Sequence, residues 1–346
     1  MNEPTVRSTA PLRISFVGGG TDFPHYYERH GGAVLSATID RNAYVTVTPR
    51  PDRDVTIRSL DLGHLVEYHL DEGPTYDGVM DLAKAAISRM GVERGLEMEI
   101  RSDAPPGSGL GGSSALVTAV VGALAALLDR ALTAGEVARL SYAIEREDLG
   151  IAGGWQDQYA AAFGGFNLIE FSDTGVSVAR VVCEGERLER LREHLLLCYT
   201  GAVRTDLGLI DTQIRLYHEG REETLVGMKH LHEMAYEMRD AVETGDLDAL
   251  GELLHQAYEN KKRMNPHIAD GTPIEALFTV AREAGAAGGK ICGAGGGGYL
   301  LLACAPEHHA EVRAALEAHG GAFADFSFSP RGVEARIGER VWRPTA

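Results

Sequence analysis

The chain has 346 residues, of which 44% are hydrophobic and 24% charged, and its formal net charge is −17. That length suits one large or two medium domains, and the composition supports a buried core. The charge argues against nucleic acid or an anionic membrane as partner. The longest apolar run is too short to cross a bilayer, and four widely separated cysteines without a CxxC pair read as buried thiols of a reducing cytosol, not a disulfide frame or zinc site.

The first segment with chemical character is Ala10-Pro11-Leu12-Arg13-Ile14-Ser15-Phe16-Val17-Gly18-Gly19-Gly20-Thr21-Asp22. A strand carrying an arginine runs into three glycines and a polar pair. Arg13 could neutralise phosphate charge. Asp22 is either a turn residue or an acceptor for polyol hydroxyls. Residues 41–48, 54–59 and 65–70 read as short strands, 78–90 as a helix, and 96–100 alternates as a half-buried strand.

That last strand leads into Pro105-Pro106-Gly107-Ser108-Gly109-Leu110-Gly111-Gly112-Ser113-Ser114-Ala115. A buried helix is expected over 115–128, with the two serines at its cap. Glycines admit close backbone approach, and loop N–H groups with a helix N-terminus form an anion site. A nucleotide is therefore the first ligand to suspect. No Gly-Lys-[Ser/Thr] closes the loop, and its glycines do not follow the dinucleotide spacing.

Thr133-Ala134-Gly135-Glu136 has capping-box spacing and opens a helix to about residue 148. Glu145 lies on the flank of its apolar face. Asp157, in Gly153-Gly154-Trp155-Gln156-Asp157-Gln158, stands at a helix start, where it is either a dipole-favoured residue or a catalytic base. Glu145, Asp157 and the serine loop together would supply metal ligand, base and phosphate cradle, the equipment of phosphoryl transfer.

Residues 166–171 and 176–182 read as a hairpin, and we expect a boundary near residue 190, giving units 1–190 and 191–346. Beyond it, strand 195–199, helices 207–219, 224–243, 247–263 and 272–284, strand 299–304, helix 307–319 and strand 322–327 suit a ferredoxin-like sheet. Gly288-Gly289-Lys290-Ile291-Cys292-Gly293-Ala294-Gly295-Gly296-Gly297-Gly298 is too glycine-rich for a plain loop and predicts close packing against another loop or a ligand.

In order and spacing, these three motifs resemble those of the GHMP kinase superfamily, over essentially the whole chain. Within it, Ala10–Asp22 and Gly31-Gly-Ala-Val-Leu-Ser-Ala-Thr-Ile-Asp look most like the D-glycero-D-manno-heptose 7-phosphate kinases. The Glu-His pair found in galactokinases ahead of Thr-Asp is absent, which disfavours galactose. The resemblance implies an α+β fold with a βαβ-type nucleotide-binding N-terminal domain, a ferredoxin-like C-terminal domain and an active site in the cleft between them.

It also implies ATP and Mg²⁺. Pro106, Gly107, Ser108, Gly109, Leu110, Gly111, Gly112, Ser113 and Ser114 would wrap the ATP phosphates, braced by the loop containing Gly295 and Gly296. Ser113 and Glu145 would hold the metal, Asp157 would orient or deprotonate the attacking hydroxyl, and Arg13 would stabilise the transferring group. Gly19, Gly20, Thr21 and Asp22 would meet the sugar. Gly112 replaces a serine common in relatives, which leaves Ser113 and Ser114 both eligible for the metal.

The implied reaction puts a phosphoryl group on the anomeric hydroxyl of a heptose 7-phosphate in the cytoplasm, with a small sugar or sugar phosphate as partner; a homodimer is compatible with this. The alternatives are a kinase of an unphosphorylated, fucose-like sugar and a non-catalytic sugar- and ATP-binding regulator. A distal substrate phosphate needs cations. Arg204 is the first candidate and Lys261, Lys262 and Arg263 are the second, although these three also suit a solvated helix end.

Overall fold

The computed structural model describes residues 4–201, 208–270 and 272–345. β1 (Val6–Val17) is buried along most of its length, α1 (Pro24–His30) follows the triple glycine, and β2 (Gly32–Pro49) is long enough to serve two neighbours. Next come β3 (Asp54–Ser59), β4 (Leu65–His69), α2 (Asp81–Arg89) and β5 (Leu96–Ser102). α3 (Gly112–Leu127), α4 (Ala134–Ala143) and α5 (Gln156–Phe163) precede the hairpin of β6 (Phe166–Ser172) and β7 (Gly175–Arg180).

The second half holds α6 (Glu186–Glu193), β8 (Leu195–Tyr199), α7 (Leu209–His218), α8 (Glu222–Thr244), α9 (Leu247–Met264) and α10 (Ile274–Glu283). It ends with β9 (Gly288–Ile291), β10 (Tyr299–Ala303), α11 (His309–Glu317), β11 (Ala322–Ala324), β12 (Glu334–Ile337) and β13 (Arg340–Trp342).

The described residues form two sheets. The larger has nine strands and is built on β2, whose first half pairs β6, whose second half pairs β5, and whose other edge pairs β1. The βαβ-type expectation holds for one pair: β3 and β5 run parallel, and the other described pairs of this sheet are antiparallel. The smaller sheet is antiparallel in the order β11-β8-β10-β9. With helices after the first strand and before the last, this is the ferredoxin-like arrangement expected from the sequence.

β12 pairs β1, and β13 pairs β12, so the chain returns to the first sheet after β11. We keep a boundary near residue 190 as a proposal for the first crossing only; taking 191–346 as one piece would separate paired strands.

α3 is rich in Ala, Val and Leu and buried on nearly all sides. It begins three residues earlier than its apolar run suggests, because Gly111, at φ 73°, is the N-cap and both serines fall inside the first turn. The expected capping box is present: Thr133 Oγ1 accepts from Glu136 N, and Glu136 accepts from Thr133 N. Met228, Leu231 and Leu254 of α8 and α9 join the core of the large sheet, while Tyr258, Phe278 and Leu316 lie in a second core against the small one.

The two sheets meet backbone to backbone. The glycine segment between β9 and β10 lies on the loop between β5 and α3. A Cβ on Gly293 would stand 2.6 Å from Gly109 Cα, and one on Gly298 would stand 2.4 Å from Ser108 O. Tyr299 N donates to Ser108 O at 3.0 Å, and the Lys261 ammonium donates to Gly293 O. Close packing is thus the structural use of these glycines, with Gly293 and Gly298 as the touching residues.

Gly298 also sits at φ 90°, where a side chain costs about 1–3 kcal/mol. Gly298→Ala must therefore displace Ser108. We expect the dissociation constant for a fluorescent ATP analogue to rise about tenfold or more, although Gly298 lies outside the cleft lining. Unchanged nucleotide affinity in a folded variant would contradict this brace.

Candidate active site

A cleft of about 900 Å³ runs between the two halves. On one wall, β1 presents Arg13, Ser15 and Val17 at alternate positions, as the period of a strand requires. Arg13 is buried. Its Nε donates to Asp157 Oδ1 at 2.7 Å, a second guanidinium nitrogen lies 2.7 Å from the same oxygen, and the third donates to Gly109 O at 2.6 Å. Its backbone N–H donates to Leu110 O at 3.0 Å. One residue therefore ties the strand, the glycine loop and α5 together.

The first turn of α5 delivers three consecutive side chains to three parts of the site. Gln156 reaches Asp22, Asp157 reaches Arg13, and Gln158 reaches Ser114 and Glu145. Successive helical residues point about 100° apart, so a helix end aimed into the cleft can serve several neighbours at once.

Asp22 is fully buried. Its carboxylate accepts from Gly20 N at 2.9 Å, Gln156 N at 3.0 Å and Gln156 Nε2 at 3.3 Å, and none of these donors is a cation. Burial pushes its carboxyl above the ordinary value, and the backbone N–H groups of Gln156 and Gly20 pull it partly back. A Cβ on Gly154 would lie 2.0 Å from Asp22 Oδ2, so this glycine is required by the buried carboxylate. Such a group in a cleft suits hydroxyl donors from a polyol.

Beyond α4 the helix widens into a π turn, Ile144–Asp148, which carries Glu145 inward. Such turns are frequent at functional sites. Glu145 is 1% exposed and accepts from Ser113 Oγ at 2.9 Å, Ser114 Oγ at 2.7 Å and Gln158 Nε2; Arg146 lies at 3.9 Å. A buried carboxylate satisfied mainly by neutral donors beside a helix N-terminus fits a divalent cation. Among the described residues there is no cluster of three or more His, Cys, Asp or Glu for a metal, so phosphate oxygens and water would have to complete the shell. Ser113 is exposed to the cleft and Ser114 is buried, which favours Ser113 as the hydroxyl that meets a metal.

α3 has no side-chain N-cap, so the N–H groups of its first turn remain directed at the cleft beside Gly109 and Gly111. Open N–H groups at a helix N-terminus are what an anion site requires. Pro106, Gly107, Ser108, Gly109, Gly111, Gly112, Ser113 and Ser114 line the cleft, as do Gly19 and Gly20.

Other expected site residues are placed differently. Leu110 is wholly buried and contributes its carbonyl to Arg13, because an apolar side chain in this loop has the core available behind it. Thr21 is also wholly buried. Its hydroxyl donates to Gly18 O and Ala33 O and accepts from Ala33 N, so it fastens the triple-glycine turn to β2 and does not line the cleft. Gly295 and Gly296 contact Ile268 instead of the phosphate loop.

Lys262 pairs with Glu259 at 2.8 Å and Glu275 at 3.3 Å, Arg263 lies 4.0 Å from Glu223, and neither lines the cleft; Lys261 does. Arg204 lies outside the described residues. Sequence reasoning gave no role to Gln156, Gln158 or Lys290. The two glutamines flank Asp157 directly, which is the signal that could have drawn attention to them. Lys290 is buried in the cleft wall and donates to Ser15 O at 2.7 Å and Ile291 O at 3.1 Å.

Comparison with known proteins agrees with this geometry. Residues 78–165 match the family model "GHMP kinases N terminal domain", and residues 238–322 match "GHMP kinases C terminal". The chain is 34% identical to the D-glycero-alpha-D-manno-heptose 7-phosphate kinase of Campylobacter jejuni, over 96% of this chain and 98% of that one. It is 26% identical to the L-fucokinase/L-fucose-1-P guanylyltransferase of Bacteroides fragilis, over 96% of this chain and 38% of that one. The crystal structure of a D-glycero-D-manno-heptose 1-phosphate kinase from Bacteroides thetaiotaomicron superimposes with a TM-score of 0.79 at 30% identity, covering 99% of this chain and 100% of that one. The phosphate loop, the Arg13–Asp157 pair and the glycine brace are thus set in a chain that belongs to the GHMP kinases.

Proposed function

We propose that this chain transfers a phosphoryl group from ATP to the anomeric hydroxyl of a D-glycero-D-manno-heptose 7-phosphate, giving the 1,7-bisphosphate that nucleotide activation of the heptose would consume. The observation that carries the chemistry is the Arg13–Asp157 pair beside the open N-terminus of α3. The heptose phosphate is supported by the Campylobacter jejuni relative, matched along nearly its whole length.

In this reading the phosphates of ATP rest on the N–H groups of Gly111–Ser113. Glu145 and Ser113 would hold Mg²⁺, which would neutralise charge on the phosphate oxygens. Asp22 accepts hydrogen bonds from sugar hydroxyls and fixes the ring. Asp157 accepts the proton, or the hydrogen bond, of the attacking hydroxyl. Arg13 keeps Asp157 in place and offers its guanidinium to the charge on the equatorial oxygens of the transferring group, where electrostatic stabilisation does most of the catalytic work. A binding-only regulator would need neither a carboxylate at Asp157 nor an arginine paired to it. Arg204 remains our candidate for the distal phosphate, and Arg204→Ala is expected to raise KM for the sugar phosphate about tenfold while leaving KM for ATP unmoved.

The decisive experiment is incubation with ATP and a panel of sugars and sugar phosphates, with the product identified by phosphorus and proton NMR. A new anomeric phosphate on heptose 7-phosphate is expected. Preferential phosphorylation of free fucose would replace this substrate with the runner-up.

Asp157→Asn should lower kcat by about 10²–10⁴-fold, the usual loss for a general base, with ATP affinity within a few-fold of wild type. A variant that kept more than about a tenth of wild-type kcat would remove Asp157 from this role. Glu145→Gln should shift the Mg²⁺ titration of activity to higher concentration at fixed ATP, because a hard cation loses its one charged protein ligand. An unchanged titration would count against the metal site.

A further inference from the structure

Lys84 and Lys290 are both buried lysines, and they differ in what surrounds them. Lys84 Nζ has Asp77 Oδ1 at 2.7 Å, Asp81 Oδ1 at 2.9 Å and Thr75 O at 2.7 Å, so its three donors and its charge are all satisfied. Lys290 Nζ has two backbone carbonyls, Ser15 O and Ile291 O. An ammonium has three donors, so one N–H has no protein acceptor among the described residues, and no carboxylate there balances the charge. A buried cation left in this state costs stability.

The carbonyl that holds Lys290, Ser15 O, lies on β1 between Arg13 and the triple-glycine turn that precedes Asp22. Lys290 therefore stands where the acceptor and the phosphoryl group would meet. In a chain with a net charge of −17, a lysine without a carboxylate partner in the wall of a cleft is a site for an anion.

We infer that Lys290 is an anion-binding residue of the cleft whose ammonium, beside Arg13, receives a phosphate dianion: either the phosphate carried by the acceptor or the terminal phosphate of the nucleotide. This rests on the kinase reading above.

In the empty enzyme, burial holds the ammonium down at about 8; the Cys292 thiol raises it and Arg13 lowers it further. From the other elements packed on β9, α9 contributes Lys261 to the same cleft, while Phe278 of α10 and Leu301 of β10 do not titrate. A dianion arriving at Lys290 favours the charged form, so binding draws in a proton. At pH 8 part of the population carries the neutral amine, so uptake of a fraction of a proton is expected.

The test is calorimetric titration at pH 8 in two buffers of different ionisation enthalpy, read as wild type minus Lys290→Arg. Arginine keeps the charge and does not titrate in this range, so protons exchanged by the ligands themselves cancel. The three arms are heptose 7-phosphate, unphosphorylated heptose, and the β,γ-methylene analogue of ATP with Mg²⁺. Excess uptake with heptose 7-phosphate but not heptose assigns Lys290 to the acceptor's phosphate; excess uptake with the analogue assigns it to the nucleotide. In the responding arm, Lys290→Met should also weaken binding about tenfold.

No excess uptake in any arm overturns the inference. If wild type turns over ATP with heptose 7-phosphate and still shows no excess uptake, only Lys290 is misassigned. If it turns over no sugar or sugar phosphate, the kinase reading itself has failed.

Discussion

Arg13 holds three parts of this architecture together. Its guanidinium bonds Asp157 on α5 and the carbonyl of Gly109 in the phosphate loop, and its own N–H bonds the next carbonyl, Leu110 O. Buried ion pairs add little net stability, because desolvation offsets most of the attraction, whereas deleting one partner costs about 3–5 kcal/mol. An apolar pair of similar size would hold β1 against α5 about as well. What the ion pair provides in addition is a fixed carboxylate and a fixed cation at the point where α3, the glycine loop before it and the triple-glycine turn converge.

The second constraint is electrostatic. The chain is strongly acidic, so anions are repelled at long range, and the cleft has to overcome that locally. It does so with three kinds of positive potential: the open N-terminus of α3, the guanidinium of Arg13, and the Lys261 and Lys290 ammonium groups, which lie on backbone carbonyls. On the opposite account stand two buried carboxylates, Asp22 and Glu145, whose donors are mostly neutral. Cationic groups and buried carboxylates held mostly by neutral donors, side by side in one cleft, are complementary to a ligand set of phosphates, a divalent metal and hydroxyl groups.

Glycine makes this convergence sterically feasible. The phosphate loop and the glycine segment after β9 touch through backbone alone, at distances that no Cβ would allow. The C-terminal half thereby supports the loop without placing a side chain against it, and Lys261, bonded to Gly293 O, extends that support to α9. The return of β12 and β13 to β1 then ties the last residues of the chain to the strand that carries Arg13.

Much of this was written in local sequence. The glycine loop, the capping box at Thr133–Glu136, the long helices and three of the four strands of the ferredoxin-like sheet follow from periodicity and turn chemistry, which act within a few residues; β9 was hidden in its run of glycines. Arg13, Asp22, Glu145 and Asp157 were recognisable as chemistry-bearing residues from their neighbours. Glu145, Asp157 and the serine loop were also legible as one set; the contacts that join Arg13 to Asp157 and Asp22 to Gln156 were not, because they link segments more than a hundred residues apart. In sequence Thr21 looks like a threonine that meets a sugar, and only the packing of β2 against the triple-glycine turn makes it a fastener. Gly293 and Gly298 bear the loop contact while Gly295 faces Ile268, a distinction set by where β9 and β10 lie. Lys290 sits among glycines with nothing local to mark it; its missing carboxylate becomes visible only when β9 is laid against β1. Sequence determined which groups were available and in what secondary structure. Tertiary structure decided which of them were buried without a counter-charge, because burial and charge balance are properties of neighbours in space.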